Sequence, residues 1–272
     1  MGEIIRRVEV CSESAARRVA AMLNLDPGEF AEGTVLPRGW HFILMGADTR
    51  RSDIRQDGFA GLGVPIPDLG FPRLLLGGRT VFWQGDIRIG DTLQRESTVR
   101  GITHKTTPSG PMAVVTVSHK LKVGGASSAA VEETQTYILL PQREPGTPHP
   151  TYLRASAVAS ERKKSILPDE TMLFQYSALG FNSHKIHIDK SHARDVEGFP
   201  DLVVNGGLTT LLMTEHLREL GVVPIAAKLA YLAPLFCGRQ LTLTAERSDA
   251  GWQLRTLDNT RVLAVNMEVK VA

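Results

Sequence analysis

Phe181-Asn-Ser-His-Lys-Ile-His187, followed by Val203-Val-Asn-Gly-Gly-Leu208 and an apolar-spaced run to Leu220, is the stretch from which the fold is read. Leu208, Leu211, Leu212, Leu217 and Leu220 keep near-helical spacing, and Gly221 stands at the C-terminal cap position, which predicts a helix over Gly206–Leu220. Its first backbone N–H groups have no intrahelical acceptor, and the helix dipole adds to their pull on negative charge. Glycine at 206 and 207 lets another group approach that backbone closely. Ahead of the helix, Asn182, His184 and His187 crowd into one turn. A proton acceptor beside free N–H donors suits chemistry next to a carbonyl.

Working outward, three strands are predicted after the helix: Gln240–Glu246, Trp252–Leu257 and Val262–Val271. Another is predicted over Met172–Leu179. In the first half, Glu13–Leu23 reads as a helix and Trp40–Met45 as a short apolar, helical stretch. Glycine and proline dominate Asp53–Gly78, which reads as a long loop. Strands follow at Thr80–Gln84, Thr92–Lys105, Ala113–Val123 and Val131–Leu140. In the third of these, Val115, Val117, Leu121 and Val123 face one way and Thr116, Ser118, Lys120 and Lys122 the other.

Four prolines fall within residues 141–150, a semi-rigid linker by composition. The expected division is residues 1–140, a linker at 141–151, and residues 152–272. The halves echo each other: Ile87-Arg-Ile-Gly90-Asp-Thr-Leu93 matches Leu235-Phe-Cys-Gly238-Arg-Gln-Leu241 at an offset of 148 residues, which suggests a duplicated α+β unit.

The 272 residues are 42% hydrophobic and 22% charged, with a net charge of +2. That balance is too mild for a nucleic-acid partner. No apolar run approaches the ~18 residues of a membrane span. Cys11 and Cys237 form no CxxC motif, and no disulfide framework is implied. With no apolar segment behind Arg6 and Arg7, a cytoplasmic location without a membrane partner is expected.

The segment from Ala178 to Leu220 resembles the motif of MaoC-like enoyl-thioester hydratases, and Gly77-Gly-Arg-Thr80 with Gly90-Asp-Thr-Leu93 resembles the N-terminal half of two-domain acyl dehydratases. The resemblance implies an α+β double hot-dog: two antiparallel sheets, each wrapping a helix, joined into one extended sheet. Asn182 stands where the commoner motif has Asp, His184 where it has Asn, Lys185 where it has Pro, and Asn205 where it has His. The first two departures resemble the itaconyl-CoA and mesaconyl-CoA hydratase subgroup and the mitochondrial-type 3-hydroxyacyl-thioester dehydratases.

That resemblance implies an enoyl-CoA hydratase acting on itaconyl-CoA or mesaconyl-CoA, with coenzyme A as part of the substrate, no separate cofactor, and a homodimer. The alternatives are a 3-hydroxyacyl-thioester dehydratase of fatty acid or polyketide synthesis and a non-catalytic acyl-thioester binding module. A hot-dog thioesterase fits less well, because no carboxylate occupies the motif position. His187, neutral near pH 7, is the expected base. Asn182 cannot take a proton; it either orients the attacking water or serves only the turn. Gly206, with Gly207 as an alternate donor, either holds the thioester oxyanion or packs helix on sheet.

His184, in the substrate-binding set, is read as supporting or structural. Arg79 is the expected cation for a substrate carboxylate. His184, His187 and His192 lack a familiar ligand spacing, so no metal is expected. Arg162-Lys163-Lys164 reads as a solvated charge run in preference to a coenzyme A phosphate site. On the 148-residue offset Gly39 answers to His187, so one active site per chain is expected, with the first half as pocket wall.

Overall fold

The computed structural model describes residues 2–61, 63–107, 110–144, 152–154 and 162–272. In chain order the main elements are β1 (Ile5–Val10), α1 (Glu13–Met22), β2 (Arg73–Trp83), β3 (Thr92–Thr107), β4 (Gly110–Val123) and β5 (Val131–Leu140), then β6 (Lys163–Ile166), α2 (Glu170–Leu179), α3 (Gly206–Glu219), β7 (Pro224–Tyr231), β8 (Leu241–Ser248), β9 (Gly251–Leu257) and β10 (Leu263–Val271). The ten strands form one sheet in the order β1-β3-β4-β5-β2-β7-β10-β9-β8-β6. Matching β1–β5 with β6–β10 in sequence makes that order symmetric about the β2–β7 pair. This is the double hot-dog, and the internal echo belongs to it: Gly90 and Gly238 both take positive φ, +98° and +69°.

The halves join through β2 and β7, which pair antiparallel from Gly78↔Ala230 to Phe82↔Ala226. The second half wraps α3 tightly: every residue from Leu208 to Leu217 is buried. The first half contributes to that core directly. Trp40, in a 3-10 turn over Trp40–Leu44, donates from Nε1 to Glu215 Oε1 at 2.7 Å. The preceding Gly39 has φ +95°, and a Cβ there would lie 2.2 Å from Thr214 Oγ1, so glycine is required twice over. The first half has no counterpart of α3 among the described residues. Instead Phe59 and Val64, from the Gly/Pro-rich segment, pack on Ala113, Val115 and Val117 of β4 and Tyr137 and Leu139 of β5.

Several local expectations are corrected. Met172–Leu179 is not a strand but most of α2. Asp169 Oδ1 accepts from Met172 N at 2.8 Å and so caps the helix, and Leu173, Tyr176 and Ser177 share its buried side at spacings of three and four. The loop expected to run to Gly78 ends at Pro72, because Arg73–Gly78 joins β2 against β5, with an irregularity between Leu76 and Gly78. β1, β6 and β7 add strands that the pattern did not predict. Lys163 and Lys164 lie in edge strand β6, where Lys164 Nζ sits 2.5 Å from Glu219 Oε1; charge on an exposed edge discourages further strand pairing. Residues 145–151 of the expected linker lie outside the described residues.

Candidate active site

α2 ends at Leu179, and Phe181 takes a left-handed φ of +48° to turn the chain into Asn182–His187. Two bonds from Ser177 then hold the site together. Its carbonyl accepts from Asn182 N at 2.8 Å, and its Oγ accepts from Asn205 Nδ2 at 3.2 Å. Val203 N donates to Ile186 O at 2.9 Å. The motif turn and the approach to α3 are thus tied together by hydrogen bonds.

His187 is buried at 8% exposure. Its Nδ1 lies 2.7 Å from Val203 O, and a carbonyl can only accept, so Nδ1 carries the proton. That fixes the tautomer with a bare lone pair on Nε2, which has no hydrogen-bond partner among the described residues. Burial pushes the His187 pKa down to about 4, against a smaller upward pull from the Val203 bond. The ring is therefore neutral across the working range.

Asn182 Oδ1 accepts from His184 N at 3.1 Å, closing the turn. Its carbonyl is thus engaged, and the amide is the group left to hold a water. His184 is 3% exposed, stands edge-on to His187 at 5.4 Å between ring centroids, and leaves Nε2 without a hydrogen bond. Its pKa lies well below the ordinary imidazole value because of burial and the neighbouring His187.

At the start of α3, Asn205 makes no side-chain cap, and the Gly206 and Gly207 N–H groups find no acceptor among the described residues. A Cβ on Gly207 would fall 2.0 Å from the Tyr176 hydroxyl, so that hydroxyl sits directly over the helix start. A Cβ on Gly206 would meet Leu76 and Tyr231 at 3.2 Å. Donors, hydroxyl and glycine backbone are the parts an oxyanion site needs.

Apart from Arg79, the first half approaches the site through residues that the sequence pattern did not single out. Asp57, 4% exposed, accepts from Lys185 N on its backbone oxygen at 2.8 Å, and its Oδ2 lies 3.9 Å from His184 Nε2. Ser183 Oγ donates to Gly58 O at 2.7 Å. The Gly/Pro-rich segment thus docks on the motif turn. Arg79 lies on β2, with Nε 3.1 Å from Glu133 Oε1 in a buried pair. The signal for Glu133 was available: it alternates with Val131, Gln135, Tyr137 and Leu139 on the inward side of β5, where polar side chains are out of place.

Acid should loosen this arrangement. Burial also pushes His119 to about 4, and it holds the His184 pKa low. For His187 and His119, between the unfolded value near 6.5 and about 4, the unfolded chain takes up protons that the folded one refuses, and His184 acts in the same direction. Stability should therefore fall as pH drops through that window, by on the order of 1.4 kcal/mol per pH unit for each such histidine. Thermal unfolding between pH 7 and 4.5 checks this, and a midpoint that stays constant from 7 to 5 contradicts it.

The chain matches the family described as "Hydroxyacyl-thioester dehydratase type 2" over residues 39–236. Mesaconyl-C(4)-CoA hydratase of Chloroflexus aurantiacus is 34% identical over 226 residues, 81% of this chain and 79% of that protein. The mitochondrial hydroxyacyl-thioester dehydratase type 2 of Schizosaccharomyces pombe is 26% identical over 249 residues, 82% and 81% of the two chains. Among solved structures, a MaoC-like dehydratase from Phytophthora capsici has a TM-score of 0.72 at 13% identity, covering 100% of this chain and 95% of its own. HtdX of Mycobacterium tuberculosis has a TM-score of 0.69 at 15% identity, covering 99% of each chain. At such identities the structures speak to the fold alone.

Proposed function

Because the chain belongs to the hydroxyacyl-thioester dehydratase type 2 family, we propose that it adds water across the conjugated double bond of a branched dicarboxylic enoyl-CoA, mesaconyl-CoA or itaconyl-CoA, at the His187 site. The coarser statement is plain: it is a hydro-lyase, a hydratase or dehydratase of thioesters. The dicarboxylic substrate is supported by the likeness to mesaconyl-C(4)-CoA hydratase. The opposite direction, dehydration of a 3-hydroxyacyl thioester, uses the same groups and is favoured by the second relative.

The observation that carries the reading is the bare Nε2 of His187, whose tautomer is fixed by Val203 on the chain leading to the free N–H groups of α3. Water, oriented by the Asn182 amide, attacks the β-carbon as its proton passes to Nε2. A C–O bond forms, the double-bond electrons move toward the thioester, and the oxygen charge is met by the Gly206 and Gly207 N–H groups. The proton on His187 is then delivered to the α-carbon, so one water is added and the base is restored.

A cleft of about 720 Å³ supports a phosphate-bearing carrier such as coenzyme A. Its lining includes Arg51, Arg55, Lys185 and Lys190, and cations there favour anionic groups. Among the described residues no helix is long and apolar enough to cross a membrane. A cytoplasmic homodimer without a further cofactor completes the reading.

The test is a panel of enoyl-CoA esters, followed for loss of the conjugated chromophore and, separately, for release of free thiol. Hydration without thiol release is expected. Thiol release alone points to a thioesterase, and CoA-ester binding with no turnover points to a binding module; either defeats the proposal.

A further inference from the structure

Arg79 is a largely buried cation with unused donors. Its side chain is 11% exposed, and it makes no hydrogen bond of ordinary geometry with any described residue. A guanidinium carries five N–H donors; here the Nε–H is buried without a hydrogen bond, which is costly, and the terminal nitrogens are left open to an incoming acceptor. Glu133 balances the charge but does not take the donors: its Nε neighbour stands at 3.1 Å without hydrogen-bond alignment. The Glu133 carboxylate is instead engaged by His41 Nε2 at 2.7 Å and by the Gln135 amide. Built only for stability, the pair would be expected to form the bidentate bond that Arg and carboxylate favour.

The surroundings say what the donors face. Tyr137 and Tyr176, both buried, and Tyr231, partly buried, stand close enough to act on the Arg79 charge. Tyr231 donates to or accepts from Thr210 at 2.6 Å, and its ring covers Gly206. The Tyr176 hydroxyl lies over Gly207 and, unlike the other two, has no side-chain partner among the described residues. Two of the three tyrosines near Arg79 therefore also touch the first turn of α3, where the thioester oxygen is proposed to bind.

We propose that Arg79, with the Tyr176 hydroxyl, binds the free carboxylate at the far end of a dicarboxylic acyl thioester and so selects it over the uncharged acyl group. The inference rests on the thioester reading for the near end of the ligand. Glu133 keeps the guanidinium neutralised while the site is empty, and the incoming carboxylate takes the N–H donors that Glu133 leaves idle.

The test uses succinyl-CoA and butyryl-CoA, saturated and therefore inert to hydration, with binding measured by calorimetry on the wild-type protein, on Arg79→Lys, and on the Arg79→Met, Glu133→Gln double variant. The double variant removes both charges and so avoids orphaning a buried carboxylate. Wild type should bind succinyl-CoA about 100-fold more tightly, the gain of two charge-assisted hydrogen bonds. Arg79→Lys should cut that ratio to about 10-fold, because an ammonium keeps the charge and loses the fork. The double variant should bring it to about one. A structural role for Arg79 moves both affinities together and leaves the ratio unchanged; that result, or equal affinities in the wild type, overturns the proposal. Failure to hydrate any enoyl-CoA refutes the reaction but not this ratio, so the two readings fail separately.

Discussion

His187→Ala is expected to lower kcat/KM for enoyl-CoA hydration about a thousandfold, the upper-middle range for losing a general base. The size follows from the absence of a substitute. Asn182 cannot accept a proton, and its carbonyl oxygen is tied to His184 N at 3.1 Å. His184 is buried behind the His187 ring with its Nε2 unpartnered. Asp57 is held by Arg55 and by Phe59 N at 2.9 Å. His187→Asn should lose as much in kcat while keeping KM near wild type, since its Nδ2–H takes the place of Nδ1–H and can still donate to Val203 O, but an amide cannot take water's proton. The acid limb of kcat/KM should fall near pH 4, where burial places this histidine, and not near the ordinary 6.5. Retention of activity within a few-fold in the alanine variant would falsify the assigned role.

The parts of this site that were legible in the sequence were the ones carried by local rules. The apolar spacing of Leu208–Leu220 and the glycines before it give α3 directly, and the strict alternation in β4 gives that strand. The internal echo around Gly90 and Gly238 marks a duplication that the sheet order carries through all ten strands. The failures have local causes too. Met172–Leu179 is a short apolar run with Phe174 and Tyr176, residues that favour strands, and only the Asp169 cap tips it to helix. Three of the eight residues of β7 are alanine, so its alternation is faint, and the glycines at 77 and 78 disguise the start of β2.

The polar network was hidden for a different reason. Glu133, Gln135 and His119 each sit at an inward position in their strands, but which partners meet them depends on long-range pairing. His119↔Glu133 is a β4–β5 pair, Arg79 arrives from β2, and His41 from the 3-10 turn over Trp40–Leu44. A single strand announces that such residues are out of place, and only the assembled sheet says what they do.

Glu133→Ala is expected to be the most damaging substitution for stability, by about 3–5 kcal/mol, because it leaves a buried guanidinium with no counter-charge. Glu133 is 3% exposed and meets His41 Nε2 at 2.7 Å, Arg79 Nε at 3.1 Å and the Gln135 amide, so the loss touches three partners at once. The carboxylate is ionised in the fold: although burial alone would raise it, Arg79 and His41 together hold its pKa down at about 2. A carboxylate with a depressed folded pKa contributes stability above its unfolded value near 4.5 and loses it as pH falls toward 2. That window reaches below the histidine window, so an acid titration of the wild type should show two successive losses, and the Glu133→Ala variant a smaller lower one, the remainder coming from other carboxylates held down by cations such as Asp48 beside Arg7. If the damage comes from the orphaned cation, adding Arg79→Met should recover most of the lost stability, since a similar-sized apolar side chain removes the uncompensated charge. Urea unfolding of the single and double variants measures this coupling. Simple additivity, with the double variant less stable than either single one, would mean that Glu133 acts through packing and not by neutralising Arg79.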